Sequence, residues 1–469
     1  MKRIPVAIYY YISFSFIPFF GLIQTKVLTY ILSPSLFGEM QLIIPIFTWL
    51  VIITGIGLPQ CVVRFYEGQG MMVFSQGLYM SSLFSFMLVF LFFMFAKSIG
   101  ITIPGLQITV QMTIVLLLAV LVSQASALVK SLLRVQQRHI FYNLVVGFEK
   151  ILTVMAVISA VYWMIHSPGE GFLLGSAVGV GVMLLLVTVF YKDKSLWKFS
   201  FPSWKQVNGM LVYGFPISII TLMGNFLPNL NRYVIASELK TSDVASYSIG
   251  CMVASLCFQA LCEPVMTFIH PRVFQAWELG DATHAENIVN RYLHYYVVCG
   301  VMICGLAIRS EDILINLVAN EGYRMPSGSF AILILANFLL GIYRFLSTHY
   351  FLTKKTLELG LCYFIAVLLN FVAAVTLIGR FGLRSVTASM LLGATVLILI
   401  VWFRGRKVLR IKFPAKKYMV VVPIALIIGL VPPSHAWNLH SSWRWFDVFG
   451  SSGIVLLCSW IAILKIRAA

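Results

Sequence analysis

From Phe16 to Met40 the chain reads FIPFFGLIQTKVLTYILSPSLFGEM. An apolar run carrying Pro18 and Gly21 meets an amide, Gln24, and then a cation, Lys26. The short polar turn at Ser33 starts the next apolar run. The same order returns between Gly214 and Tyr247, in GFPISIITLMGNFLPNLNRYVIASELKTSDVASY. There Pro216, Gly224, Asn225, Pro228, Asn229 and Asn231 precede Arg232, and the turn falls at Thr241. The two cations and the two turns are offset by nearly the same interval, so the chain reads as two related halves.

Working outward, apolar runs of about 20 residues follow one another from Val6 to Leu464, each long enough to cross a hydrocarbon core of about 30 Å. The 469 residues are 60% hydrophobic and only 11% charged, against about 25% charged in soluble domains. No soluble core of this length hides that much apolar surface. Backbone groups inside lipid must be bonded within their own segment, so the runs are helices; a β-barrel would show alternating segments of about 10 residues. The expected class is an all-α polytopic membrane protein with about fourteen transmembrane helices. They are placed at roughly 6–28, 41–60, 75–96, 108–130, 142–165, 171–191, 208–231, 244–266, 291–309, 328–352, 359–379, 385–403, 418–433 and 448–464. The last two are short or interrupted, and a twelve-helix core with a loosely attached C-terminal pair stands beside the fourteen-helix reading.

The basic stretch 192–207, with Lys192, Lys194, Lys198 and Lys205, separates an N-lobe (1–191, helices 1–6) from a C-lobe (208–410, helices 7–12). Residues 411–469 form the C-terminal pair. Parallel repeats of this kind suit alternating access, with Gly- or Pro-interrupted helices in matching positions marking the site. Pro18, Gly21, Pro216, Gly224 and Pro228 are therefore hinge candidates; ordinary kinking is the competing reading, since Gly and Pro are common in membrane helices. Placing both termini on the cytoplasmic side puts 23 of the 34 Lys and Arg there, which satisfies the positive-inside rule. Met1-Lys2-Arg3 before an apolar run mimics a signal peptide, but no small-residue cleavage site follows, and it reads as a retained first helix. Anionic lipid headgroups account for the net charge of +18 without nucleic acid.

The eight cysteines form no CxxC pair and sit mostly in apolar runs, so neither a metal site nor a disulfide framework is expected. No cofactor motif or catalytic motif is present, and no extramembrane loop exceeds roughly 25 residues. An enzyme is therefore not expected.

Charged groups at mid-membrane cost about 2.5–3.5 kcal/mol each and are functional candidates. Lys26, Arg64 and Arg232 either line a cavity or snorkel to the headgroups. Arg344, deep in its helix, faces a wet cavity or forms a structural ion pair. Glu149 and Lys150 are sequence neighbours that point about 100° apart, so Glu149 should pair with a cation on another helix. Glu263 reads as an ion-pair partner or an ion-coupling group. Cations outnumber acids in this set, and two or three of them could hold a phosphate or diphosphate.

The stretch YILSPSLFGEMQL (30–42) followed by GLPQCVVRFY (57–66) resembles the N-terminal signature of Wzx-type polysaccharide flippases, of the multidrug/oligosaccharidyl-lipid/polysaccharide exporter superfamily. LVYGFPISIITLMGNFLPNLNRYVIASELKTSDVASYSIG (211–250) is similar to that family's seventh-helix region. An acidic residue usually precedes its Arg, and here that position is Asn231. The likeness spans roughly residues 1–410. It implies a V-shaped, alternating-access transporter of two six-helix lobes in the bacterial inner membrane. Its substrate would be an undecaprenyl-diphosphate-linked oligosaccharide, moved from the cytoplasmic to the periplasmic leaflet for O-antigen lipopolysaccharide, capsule or exopolysaccharide assembly. A polysaccharide polymerase and a chain-length regulator are the partners it implies. The family's cationic cavity corresponds to Lys26, Arg64 and Arg232; Arg344 joins them from the residue reading alone. A multidrug exporter of cations and a peptidoglycan-precursor flippase are the rival functions.

Overall fold

The computed structural model describes residues 6–99, 109–190, 204–406 and 408–410, and all its regular elements are helical. The expected helices at 418–433 and 448–464 and most of the expected linker lie outside the described residues. Eleven helical spans among the described residues are long and apolar enough to cross a membrane.

The chain divides into two compact units, 1–248 and 249–469. The first contains α1 (Val6–Ile31), α2 (Pro34–Gly55), α3 (Leu58–Gln69), α4 (Met71–Ile99), α5 (Val110–Val135), α6 (His139–Trp163), α7 (Pro168–Phe190) and α8 (Trp204–Glu238). It also holds the start of α9 (Thr241–Glu278). Ser33 caps α2 by accepting the Leu36 amide. The matched turns at Ser33 and Thr241 belong to one contact: a Cβ on Gly38 would lie 1.9 Å from the Thr241 carbonyl oxygen. Only glycine lets the two helix starts approach so closely.

A second close approach joins α6 and α7. Gly171, Gly175 and Gly179 recur every four residues on α7 and form one ridge. A Cβ on each would sit 2.9, 2.4 and 2.4 Å from Cα of Val161, Val157 and Thr153 on α6. Small residues replace a hydrophobic driving force between membrane helices, because lipid tails are as apolar as leucine. Two buried clusters pack the described residues of the unit further. One is built on Val62, Phe74, Leu128 and Leu132, the other on Ile43, Leu116, Val120 and Leu173.

The span expected at 41–60 is two helices. Ile56 and Gly57 both adopt left-handed backbone angles (φ 38° and 65°), which end α2, and Pro59 stands in the first turn of α3. The break packs on α8, where a Cβ on Gly214 would meet the Ile56 carbonyl oxygen at 2.0 Å.

The second unit continues α9 and adds α10 (Ala282–Arg309), α11 (Glu311–Val318), α12 (Ser329–Leu346), α13 (Thr348–Leu352), α14 (Thr356–Phe381) and α15 (Leu383–Gly405). Residues 266–290, expected as a loop, are mostly helix. α9 runs to Glu278 and spans about 57 Å at 1.5 Å per residue, far more than a bilayer core. Apolar periodicity ends where lipid ends, but a helix does not have to. Gly280, at φ 81°, closes the turn, and Asp281 caps α10 through the His284 amide at 2.8 Å. The Tyr296 hydroxyl donates to the Phe338 carbonyl at 3.1 Å and fills the notch left by Gly341, holding α10 against α12.

The short α11 lies between two spans and carries Glu311, whose carboxyl is pushed up to about 7, first by burial and then by the neighbouring Asp312. The folded protein therefore binds this proton more tightly than the unfolded chain. Its stabilising contribution is greatest below the ordinary carboxyl range and is lost as pH rises toward 7. Glu311→Gln should raise the melting temperature at pH 8 by a few degrees and change it little at pH 4.5. Equal shifts at both pH values would contradict this.

Candidate functional site

Three residues of α2 spaced a turn apart, Gln41, Pro45 and Trp49, face α8. Trp49 packs edge-on to Phe226 with ring centroids 4.6 Å apart and lies 5.5 Å from Tyr233. Pro45 has no N–H, so the Gln41 carbonyl loses its helical donor. Arg232 supplies one instead: its Nη1 donates to the Gln41 carbonyl at 3.0 Å and to the Gln41 side-chain Oε1 at 3.1 Å. The next residue on α8, Tyr233, donates its hydroxyl to the Leu42 carbonyl at 2.7 Å. Sequence reasoning missed Gln41, although the signal was present: it stands four residues before a helical proline.

Asn231, where the resemblance leads one to expect an acid, is fully buried. Its Nδ2 donates to the Tyr247 hydroxyl at 3.0 Å, and that hydroxyl donates to the Pro228 carbonyl at 3.3 Å. Among the described residues this network is neutral. Thr221, Asn225 and Asn229 form a polar stripe on α8. The hydroxyl of Thr221 and the amides of the two asparagines bond back to carbonyls of their own helix at 2.8–2.9 Å.

Lys26 stands near the end of α1, its Nζ 5.2 Å from the Tyr30 ring. Arg64 is exposed on α3 and stacks over Tyr213 of α8 at 4.4 Å. Arg232 bonds near the start of α2, whereas Arg64 lies beyond its far end; along α8, Arg232 and the Tyr213 beneath Arg64 stand 19 residues apart, about 28 Å of helix. The first unit therefore sets its cations at two levels rather than in one cluster.

Glu149 is satisfied on both oxygens: Lys130 reaches Oε1 at 2.8 Å, and Ser126, one turn earlier on α5, donates to Oε2. Lys150 beside it makes no ion pair with any described residue. In the second unit Arg344 of α12 pairs with Glu263 of α9, so it is a bonded partner and not a lone cavity cation. Of the hinge candidates, Pro18 and Gly21 lie inside a continuous α1, and Pro216, Gly224 and Pro228 inside a continuous α8. A Cβ on Gly21 would meet nothing within 4 Å. Among the described residues no group of three or more His, Cys, Asp or Glu could hold a metal ion.

Consecutive membrane-length helices, several with prolines inside them, define a polytopic membrane protein. The sequence pattern of the polysaccharide biosynthesis protein family matches residues 7–277, and the chain belongs to that family. Among solved structures it is similar to the Lipid II flippase MurJ in an inward closed conformation, at 17% identity with a TM-score of 0.68 over 97% of each chain. It is also similar to an inward-facing multidrug resistance MATE family transporter of the MOP superfamily, at 16% identity and TM-score 0.57, covering 83% of this chain and 93% of that one. MATE in the bent conformation gives 14% identity and TM-score 0.57, covering 90% and 95%. No curated protein sequence matches the chain.

Proposed function

We propose that this chain is a flippase that carries undecaprenyl-diphosphate-linked oligosaccharide from the cytoplasmic to the periplasmic leaflet of the bacterial inner membrane. The product feeds surface polysaccharide assembly: O-antigen lipopolysaccharide, capsule or exopolysaccharide. The observation that carries this reading is how the charges deep in the helices are paired: both mid-helix acids singled out from the sequence are already taken. Glu149 and Glu263 are each engaged by a cation, whereas Arg64 and Lys150 face no described carboxylate within ion-pair range. A cationic drug would require the opposite balance, which favours an anionic substrate over multidrug export on a shared fold.

Arg64 meets the diphosphate first, as a planar donor fork backed by Tyr213. Lys26 and Arg232 receive it at the other level, and the polar stripe of α8 gives the sugars hydrogen-bonding company between them. The lipid tail stays in the bilayer. An anion leaving a negative interior gains about 2.3 kcal/mol per charge per 100 mV. A polysaccharide polymerase and a chain-length regulator act downstream.

Arg64→Ala is the cleanest test, because Arg64 is exposed and its loss leaves the packing intact. Surface polysaccharide should fall about tenfold at normal protein abundance, equivalent to about 1.4 kcal/mol of lost binding, and Arg64→Lys should recover part of it. Wild-type polysaccharide in both Arg64→Ala and Lys150→Ala would refute the assignment. Hypersensitivity of a deletion strain to cationic drugs, with unchanged polysaccharide, would instead establish drug export. Loss of viability on deletion would point to a peptidoglycan precursor.

A further inference from the structure

Two consecutive residues of α8 grip two consecutive carbonyls of α2 at the turn that Pro45 disrupts. The grips differ in kind. Tyr233 makes one neutral bond of 2.7 Å. Among the described residues, Arg232 commits a charged donor to two neutral acceptors, the carbonyl and the amide oxygen of Gln41. A phosphate oxygen is a stronger acceptor for the same guanidinium, since it adds charge–charge attraction and lets the planar fork donate two parallel bonds.

We propose that Arg232 is an exchangeable latch on α2. Without substrate its guanidinium holds the Gln41 carbonyl; an entering lipid-linked diphosphate takes the guanidinium, and α2 is released to change its bend at Pro45. Gln41 is thus a positioning residue for the substrate-binding arginine, and the inference rests on the lipid-diphosphate reading above. Once the guanidinium leaves, the Gln41 carbonyl has no donor in its own helix, because residue 45 has none to give. The helix must then rearrange locally to satisfy it. Tyr233 stays on Leu42 and acts as the pivot, with the Trp49 ring tilted against it. Binding at α8 is in this way converted into a shape change in α2 through one side chain.

The test uses the full chain, with its eight cysteines replaced by alanine, in lipid nanodiscs. Spin labels go on two exposed positions flanking Pro45, Ser35→Cys and Ile53→Cys. Undecaprenyl diphosphate should shift the label-to-label distance by several ångströms, and undecaprenol, which lacks phosphate, should not. Gln41→Glu gives Arg232 a carboxylate partner that the phosphate must displace. It should abolish the shift and slow flipping of a fluorescent lipid-linked diphosphate in proteoliposomes about tenfold. Pro45→Ala restores the missing N–H and should show the ligand-bound distance without ligand. Normal flipping by the wild type with no ligand-dependent distance change overturns the latch alone, as does wild-type flipping by Gln41→Glu. A wild-type protein that flips no lipid-linked diphosphate overturns the functional reading and the latch with it.

Discussion

Gly175→Leu should strip the membrane of nearly all folded protein. The position allows no side chain, since a Cβ there would lie 2.4 Å from Val157 Cα and 2.6 Å from its nitrogen. The obstacle is backbone, which cannot swing aside as a flexible side chain would. α7 must therefore lift off α6 along the whole Gly171–Gly175–Gly179 ridge. Overpacking ordinarily costs about 1–3 kcal/mol, and here the obstacle is backbone at three successive turns, so about 3 kcal/mol or more is expected. That is a large part of a typical folding free energy of about 5–15 kcal/mol. Gly147→Ala on α6 is the control, because a Cβ there meets nothing within 4 Å. It should leave abundance unchanged or raise it, since alanine favours a helix over glycine by about 1 kcal/mol. If Gly175→Leu and Gly147→Ala accumulate alike in membranes, the glycine ridge does not hold the unit together.

Lys130→Met should be the most destabilising change at a charged position of the first unit. The lysine is 27% exposed and its partner Glu149 16%. Removing the cation leaves the carboxylate with only the Ser126 hydroxyl inside an apolar bundle. Breaking a buried pair costs about 3–5 kcal/mol; the partial exposure argues for the lower end, about 3 kcal/mol. The double variant Lys130→Met/Glu149→Gln removes both charges and keeps a hydrogen-bonding partner for Ser126, so most of the loss should return. Denaturant-induced unfolding in bicelles provides the measurement. A double variant no more stable than the single one would show that the pair contributes through shape and not charge.

The all-helical architecture was legible from runs such as Val110–Val135, which the structure keeps almost whole. The polar turn at Ser33 also stands where its residue types put it. The break at Ile56 and Gly57 was not legible as a break, because the run stays apolar across it and Gly and Pro are common in membrane helices. The extension of α9 to Glu278 was hidden because its last turns are polar and leave the lipid, so hydropathy does not mark them. The candidate site was legible only as residue types. Lys26, Arg64, Arg232 and Arg344 stood out by their cost in lipid, yet nothing local distinguished the arginine with a carboxylate partner from the one bonded to a backbone carbonyl.

The sequence by itself determined that the chain is a membrane-spanning helical protein, since lipid offers no partner for a peptide group and each segment must satisfy its own. It also determined that the spans hold more cations than acids. Only the tertiary structure decided which charges remain available. Arg344 finds Glu263 across 81 residues, and Arg232 finds Gln41 across 191. Such meetings are set by which helix faces pack together, and helix packing in a bilayer follows small notches such as Gly38, Gly175 and Gly341, whose partners no local pattern names.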